Sequence, residues 1–241
     1  MEFFSDIHIH ALYGVDDGAK TPEDMYALID AAYADGTRVM CLTPHYHPRY
    51  FDDNVEQCKR SFAKLSAYVE KNYPDMRIFP GNELRYGNSC ERWIASGECI
   101  SLNNGQYLLV DFDDEVDGVD LITAVERMLN CGYRPILAHV ERYKKIHRDM
   151  REVEHLKAKG VVIQIDAMSV FGLFGKGAKK RCKRILEYGL ADVASSDAHN
   201  LTDRPPQMSR FYEFAVKNYG KKYADSLCRG TALRLLGISD M

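Results

Sequence analysis

A distorted, TIM-like (β/α)7 barrel of parallel strands wrapped by helices is the fold class this sequence predicts. Short apolar runs alternate with longer amphipathic patterns along the whole chain. Most of the apolar runs are near-continuous, as in strands covered on both faces. Histidines and carboxylates fall at the ends of six of the seven runs, and a β/α barrel assembles its chemistry from several strand ends at once. An open doubly wound sheet would gather its site at one switch point, and no GxGxxG fingerprint follows the first run.

The predicted strands cover residues 4–9, 39–43, 77–80, 107–112, 135–138, 161–166 and 191–195. The first carries Asp6-Ile7-His8-Ile9-His10, then Asp16-Asp17-Gly18. Side chains two apart on a strand share a face, so the two imidazoles can grip one cation, and the acids downstream suit a divalent metal. The clearest helix opens at Thr21-Pro22-Glu23-Asp24, with Thr as cap, Pro at the first helical position and Asp closing a capping box. Met25, Leu28, Ile29 and Ala32 form its buried stripe. Further helices are predicted over 55–71, 121–130, 151–159, 179–188 and 208–218, with Gly132, Gly160 and Gly189 as stops. No linker, repeat or low-complexity segment interrupts the series, so 1–241 reads as one domain.

Composition narrows the classes. A chain 46% hydrophobic and 28% charged with net charge −3 describes a globular protein with a sizeable core. It offers no basic footprint for nucleic acid and no apolar run approaching the ~18 residues of a membrane span. Met1-Glu2-Phe3-Phe4-Ser5-Asp6 lacks the cationic start and apolar run of a signal peptide, so a cytoplasmic location is expected. The seven cysteines are odd in number and form no CxxC pair, which indicates neither a disulfide framework nor a thiolate zinc site. Cys228 through Arg234 matches the C-x5-R spacing of thiolate phosphatases. That loop must join a strand to a helix, whereas helical patterns flank it here, so the match is read as accidental.

The strand-end group is His8 and His10, His45, Glu83, Asp111, His139, and Asp197 with His199. One multinuclear metal site explains these residues together. His147 and His155 fall in charged helical sequence and are expected in solvent, while His47 is placed outside the site. Asp166 ends the sixth strand, where it is expected to cap the following turn.

These residues lie in ordered motifs: DIHIHALYGVDDGAKT at 6–21, TPHY at 43–46, PGNELRY at 80–86, YLLVDF at 107–112, AHVERY at 138–143, and SSDAHN followed by RPP at 195–206. On them the chain resembles the polymerase and histidinol phosphatase (PHP) superfamily, and within it the bacterial metal-dependent tyrosine-protein phosphatases of capsule and exopolysaccharide synthesis. The resemblance implies three divalent ions, most typically manganese, with iron, zinc or magnesium as alternatives. One ion would take His8, His10, Glu83 and Asp197; a second Glu83, Asp111 and His139; a third Asp17, His45 and His199. Asp16 would support the ligands from behind. A hydroxide bridging the metals would attack phosphorus in line, with Arg142 and Arg204 holding phosphate oxygens, and Asp197 and His199 sharing in catalysis. Asp111 stands where relatives usually carry Glu, and Val140 where they carry Pro.

The implied substrate is phosphotyrosine, on the tyrosine-rich tail of a polysaccharide-synthesis kinase, and Tyr13, Tyr46, Tyr50, Tyr86 and Tyr143 are expected to rim the mouth. A second reading is a small-molecule phosphoesterase such as a histidinol phosphatase, which would need a deeper pocket. A third, a catalytically silent metal-binding scaffold, would show a lost ligand or arginine, and only the conservative Asp111 departs. Oligomeric state is left open.

Overall fold

The computed structural model describes residues 3–47, 54–87, 89–146 and 150–239; Tyr50 and His147 lie outside them. Among the described residues nine parallel strand segments form: β1 (Phe4–Ile9), β2 (Thr37–Leu42), β3 (His45–Tyr46), β4 (Arg77–Pro80), β5 (Glu83–Arg85), β6 (Tyr107–Asp111), β7 (Arg134–Leu137), β8 (Val162–Asp166) and β9 (Val193–Ser195). Their hydrogen-bonded orders are β1-β2-β4 and β3-β5-β6-β7-β8-β9. The seven expected staves are present, because β2 with β3 and β4 with β5 are staves broken in the middle. Leu42 pairs Pro80 below the break, and His45 pairs Glu83 above it.

Local chemistry causes both breaks. Pro44 has no N–H to give a ladder, and its carbonyl instead accepts from Glu83 N at 3.0 Å and Asn82 Nδ2 at 3.2 Å. A Cβ on Gly81 would stand 2.9 Å from Cys41 Sγ, so only glycine lets the staves approach there. The Asn82 amide continues the splice, its Oδ1 accepting from Ile100 N at 2.9 Å. The kinks set His45 and Glu83 side by side at the C-terminal face.

The ring closes between β1 and β9, the feature that separates a barrel from an open sheet. Ile9 bridges Ala198 in parallel, His10 N donates to Ala198 O at 2.9 Å, and Asp197 N donates to His8 O at 2.8 Å. Beneath the seam Asp6 Oδ1 accepts from His8 N at 3.1 Å and Ser196 N at 3.2 Å.

The outer layer is α1 (Pro22–Ala34), α2 (Val55–Asn72), α3 (Cys90–Ala95), α4 (Gly118–Asn130), α5 (Met150–Ala158), α6 (Gly175–Glu187), α7 (Met208–Tyr219), α8 (Lys221–Asp225) and α9 (Thr231–Leu236). The predicted capping box of α1 forms, with Asp24 N on Thr21 Oγ1 at 3.2 Å and Thr21 N on Asp24 Oδ2 at 2.9 Å. Gly132, Gly160 and Gly189 stop their helices with φ of +85°, +86° and +66°. An apolar cluster under the polar mouth unites Ile7, Val39, Leu109, Ile136 and Val193 with Leu233 and Leu236 of α9. No helix among the described residues is long and apolar enough to cross a membrane.

Asp6→Ala leaves two buried backbone donors of the seam without an acceptor and is expected to cost about 2–4 kcal/mol of unfolding free energy. Asp6→Asn keeps the accepting oxygen and is expected to cost well under half of that. Urea denaturation of both variants reads the difference.

Candidate metal centre

The strand ends bring every expected ligand type to one place. Nε2 of His8 and Nε2 of His10 lie 3.1 Å apart. Each stands 3.2–3.3 Å from both Glu83 Oε2 and Asp197 Oδ1. A cation about 2.0–2.2 Å from each donor would span such edges in tetrahedral coordination. His139 Nε2 meets the other Glu83 oxygen at 2.9 Å, and His45 Nδ1 reaches Glu83 Oε2 at 2.8 Å. Asp17 Oδ1 stands 3.3 Å from His199 Nε2 and 3.5 Å from His45 Nε2. Three overlapping groups result: His8, His10 and Asp197; His8, Glu83 and His139; and His10, Asp17, His45 and His199.

The donor chemistry fits divalent cations. His199 Nδ1 donates to the Asp197 carbonyl at 2.9 Å, which leaves Nε2 as a bare lone pair facing the Asp17 carboxylate. Two acceptors that close repel unless a cation lies between them. His199 Nε2 is buried without a hydrogen-bond partner, an arrangement that metal coordination satisfies.

Charge in the metal-free site follows from this crowding. Burial favours a neutral His10, but the Asp16 carboxylate, with Asp197 and Glu83, raises the imidazole well above its ordinary value. Burial and the neighbouring His10 lower His199 to about 4, so it stays neutral near pH 7. Against the burial that opposes charge, His8 chiefly, with Arg142 for Asp197 and His45 for Glu83, holds both carboxyls well below the usual range. Neither Asp197 nor His199 therefore carries a proton to give away at neutral pH.

Asp16 occupies the supporting place expected of it. Its Oδ2 accepts from His10 Nδ1 at 2.8 Å and from His45 N at 3.0 Å, fixing which His10 nitrogen faces the cluster. A Cβ on Gly18 would stand 2.0 Å from the His10 carbonyl, so the DDG turn folds back this tightly only with glycine.

Asp111 lies at the edge of the cluster, its Oδ1 3.8 Å from His139 Nε2 and its Oδ2 2.5 Å from Arg85 Nη1. Arg142 Nη2 reaches Asp197 Oδ2 at 2.6 Å and Asp166 Oδ2 at 3.0 Å, while Arg204 pairs with the same Asp197 oxygen. Asp197 thus turns one oxygen to the histidines and the other to two guanidinium groups. Asp166 also caps its turn as expected, accepting from Met168 N at 2.6 Å. His139 and Asp197 take left-handed backbone, φ 32° and 50°, and such strain collects at functional sites.

Sequence reasoning missed four contributors. Arg85 grips Asp111; Gln164 Oε1 accepts from His139 N at 2.6 Å and faces His8 Nδ1 at 3.5 Å. Phe174 lies under both arginines, 3.7 Å from the Arg142 guanidinium carbon and 5.6 Å from that of Arg204. Asp6 clasps the seam under His8. Asp6 and Gln164 stand at inward strand positions, in register with His8 and Asp166, the one signal available for them. The tyrosine rim needs correction. Tyr46 and Tyr143 are buried, the first donating to Glu98 Oε2 at 2.7 Å and the second accepting from Phe112 N at 3.2 Å. Tyr13 and Tyr86 remain partly exposed. His47 packs against Trp93 outside the clusters, and His155 is exposed. Cys228 sits buried in the turn Ser226–Gly230 between two helices, where burial raises its thiol, so it has neither the loop nor the acidity of a phosphatase thiolate.

Comparison with known proteins agrees with this geometry. The model of the family described as capsular polysaccharide synthesis, CpsB/CapC, matches residues 4–237. Tyrosine-protein phosphatase CpsB of Streptococcus pneumoniae is 32% identical over 227 residues, 92% of this chain and 93% of that protein. Tyrosine-protein phosphatase YwqE of Bacillus subtilis (strain 168) is 29% identical over 231 residues, 95% and 91% of the two chains. A structure from crystallographic work on YwqE of B. subtilis and CpsB of S. pneumoniae, described as unique metal-dependent tyrosine phosphatases, superposes with a TM-score of 0.87 at 28% identity, over 98% of this chain and 96% of that one.

Because His10 is protonated in the metal-free site near neutral pH, cation uptake should expel its proton. Calorimetric titration with Mn2+ at pH 7 in two buffers of different ionisation enthalpy is expected to show net proton release, and apparent affinity should fall as the pH is lowered. Asp16→Asn should reduce the release and weaken affinity by about 10–100-fold.

Proposed function

The chain belongs to the CpsB/CapC family of capsular polysaccharide synthesis proteins, and from that premise we propose that 1–241 forms one metal-dependent phosphatase domain acting on phosphotyrosine in proteins. The observation that carries this reading is the juxtaposition at Asp197, whose two oxygens face a cluster of metal-ligand donors on one side and two guanidinium groups on the other. We assign three divalent ions, manganese first, to the donor groups: His8, His10, Glu83 and Asp197; Glu83, His139 and Asp111; and Asp17, His45 and His199. Iron, zinc or magnesium suits the same mixed donors less specifically.

Divalent cations there supply Lewis acidity, lowering the pKa of water and offsetting phosphate charge. The chain's own residues do the rest. Arg142 and Arg204 present planar forks to the outward phosphate oxygens, and the Phe174 ring beneath them limits their swing. Asp111, tied to Arg85, enters the second ligand group from the rim. With Asp197 ionised and His199 neutral, we assign both to catalysis as groups that would hold the cations, Asp197 also orienting Arg142 and Arg204. The leaving tyrosine, whose phenol ionises near ~10, needs less help from a proton donor than an alkoxide would.

We further infer that the physiological substrate is the tyrosine-rich tail of a polysaccharide-synthesis kinase, met in the cytoplasm. The relatives' names favour this over a small-molecule phosphoesterase.

Phosphate release from a phosphotyrosine peptide by Mn2+-loaded protein tests the proposal, with histidinol phosphate in parallel and a chelated control. Metal-dependent turnover of the peptide is expected, abolished in His139→Ala. Arg142→Ala and Arg204→Ala should each lower kcat/KM about 100-fold, and Arg→Lys should restore little, because lysine lacks the bidentate fork. Turnover of histidinol phosphate alone would overturn the assignment.

A further inference from the structure

Helix α6 starts one residue after the ring that supports Arg142 and Arg204, and it is the most basic element of the described chain. It carries Lys176, Lys179, Lys180, Arg181, Lys183 and Arg184 against the single acid Glu187, in a protein of net charge −3. Four of these cations, Lys176, Lys179, Lys180 and Lys183, recur at the i, i+3, i+4, i+7 spacing that aligns side chains along one face. The opposite side, Ala178, Cys182, Ile185 and Leu186, is buried.

Lys183 Nζ lies 5.9 Å from the centre of the Phe214 ring, but the stripe takes no counter-charge from the fold. Elsewhere Lys59, Lys144, Lys159 and Lys221 each reach a carboxylate at 2.7–2.8 Å, but the four stripe lysines make no ion pair among the described residues. Like charges three and four apart destabilise a helix. Lys176 also stands in the first turn, where the helix dipole is positive and no acid offsets it.

We propose that the lysine stripe of α6 is a docking surface for anionic residues flanking the phosphotyrosine in the substrate chain, so that the protein prefers acidic or multiply phosphorylated segments. This rests on the phosphatase reading above. The stripe starts beside Phe174 and runs roughly 10 Å down the flank of the barrel away from the mouth, the reach of about three extended residues, which places the recognised charges a few residues to one side of the phosphotyrosine. A membrane surface is the competing partner for a basic helix; the position of the stripe beside the phosphate-binding arginines favours the substrate.

The test compares two phosphotyrosine peptides of equal length that differ only in three flanking glutamates or glutamines, on Mn2+-loaded wild-type protein and on the Lys176→Gln, Lys179→Gln, Lys180→Gln, Lys183→Gln variant. Anisotropy titrations of the matching phosphonate peptides report binding without turnover, and p-nitrophenyl phosphate reports the chemistry alone. The wild type is expected to favour the acidic peptide by about 10-fold, in KM rather than kcat, with the preference fading as salt is raised. The variant should lose that preference and keep its rate on p-nitrophenyl phosphate. Equal binding of both peptides by the wild type, or a preference that survives in the variant, would overturn the proposal. So would a variant that loses only its binding to phosphatidylserine vesicles. Absence of turnover of any phosphoester would sink the phosphatase reading instead, while the anisotropy comparison would still decide the stripe.

Discussion

The site depends on one buried carboxylate. Glu83, fully excluded from solvent, meets four imidazoles: His8 at 3.2 Å, His10 at 3.3 Å, His45 at 2.8 Å and His139 at 2.9 Å. A lone buried carboxylate is unfavourable unless positive charge or donors surround it, and imidazoles crowded this closely set lone pairs as well as protons against it. Divalent cations resolve the conflict for every member at once. The breaks at Pro44 and at Gly81-Asn82 are what bring Glu83 to this position, since unbroken staves would give the third strand a different register at the mouth.

The rest of the architecture serves that crowding. Closure of β1 on β9 delivers His8 and His10 from one end of the chain to Asp197 and His199 from the other. The left-handed backbone at His139 and Asp197 re-aims two ligands away from the strand direction, and Gln164 stabilises the first of these bends through its bond to His139 N. Beyond the ligands a second ring of charge forms from Arg142, Arg204, Asp166 and the Phe174 face. Burial, with Asp197 and Glu141 close by, pushes the Asp166 carboxyl well above the usual range even beside Arg142. Asp197 is the carboxylate that both guanidinium groups share, while Asp166 meets Arg142 alone.

Much of this was legible in the sequence, and the reasons are local. HxH on a strand, the Thr21 capping box and the glycine stops depend on residues a few positions apart, and all appear as read. The convergence of histidines and carboxylates at the strand ends was legible because parallel strands share one chemical face. Arg85, Phe174 and Gln164 were not, because their partners lie 26, 32 and 25 residues away in sequence, at Asp111, Arg142 and His139, and nothing in the local pattern marks such pairs. The upper halves of the broken staves, His45–Tyr46 and Glu83–Arg85, were not read as strand, the expected strands ending at 43 and 80, because the splice through Asn82 needs Ile100, which spacing does not announce. Tyr46 and Tyr143 were expected at the rim, and burial won because each ring packs into the core while its hydroxyl keeps a partner, Glu98 for Tyr46 and Phe112 N for Tyr143.

The most direct measurement is Mn2+ stoichiometry by equilibrium dialysis, read together with phosphotyrosine-peptide turnover, for wild-type protein and Glu83→Gln. The account predicts three ions per chain in the wild type. Glu83→Gln should retain only the ion held by Asp17, His45 and His199 and lose turnover. A Glu83→Gln protein with full metal content and normal phosphate release would contradict it.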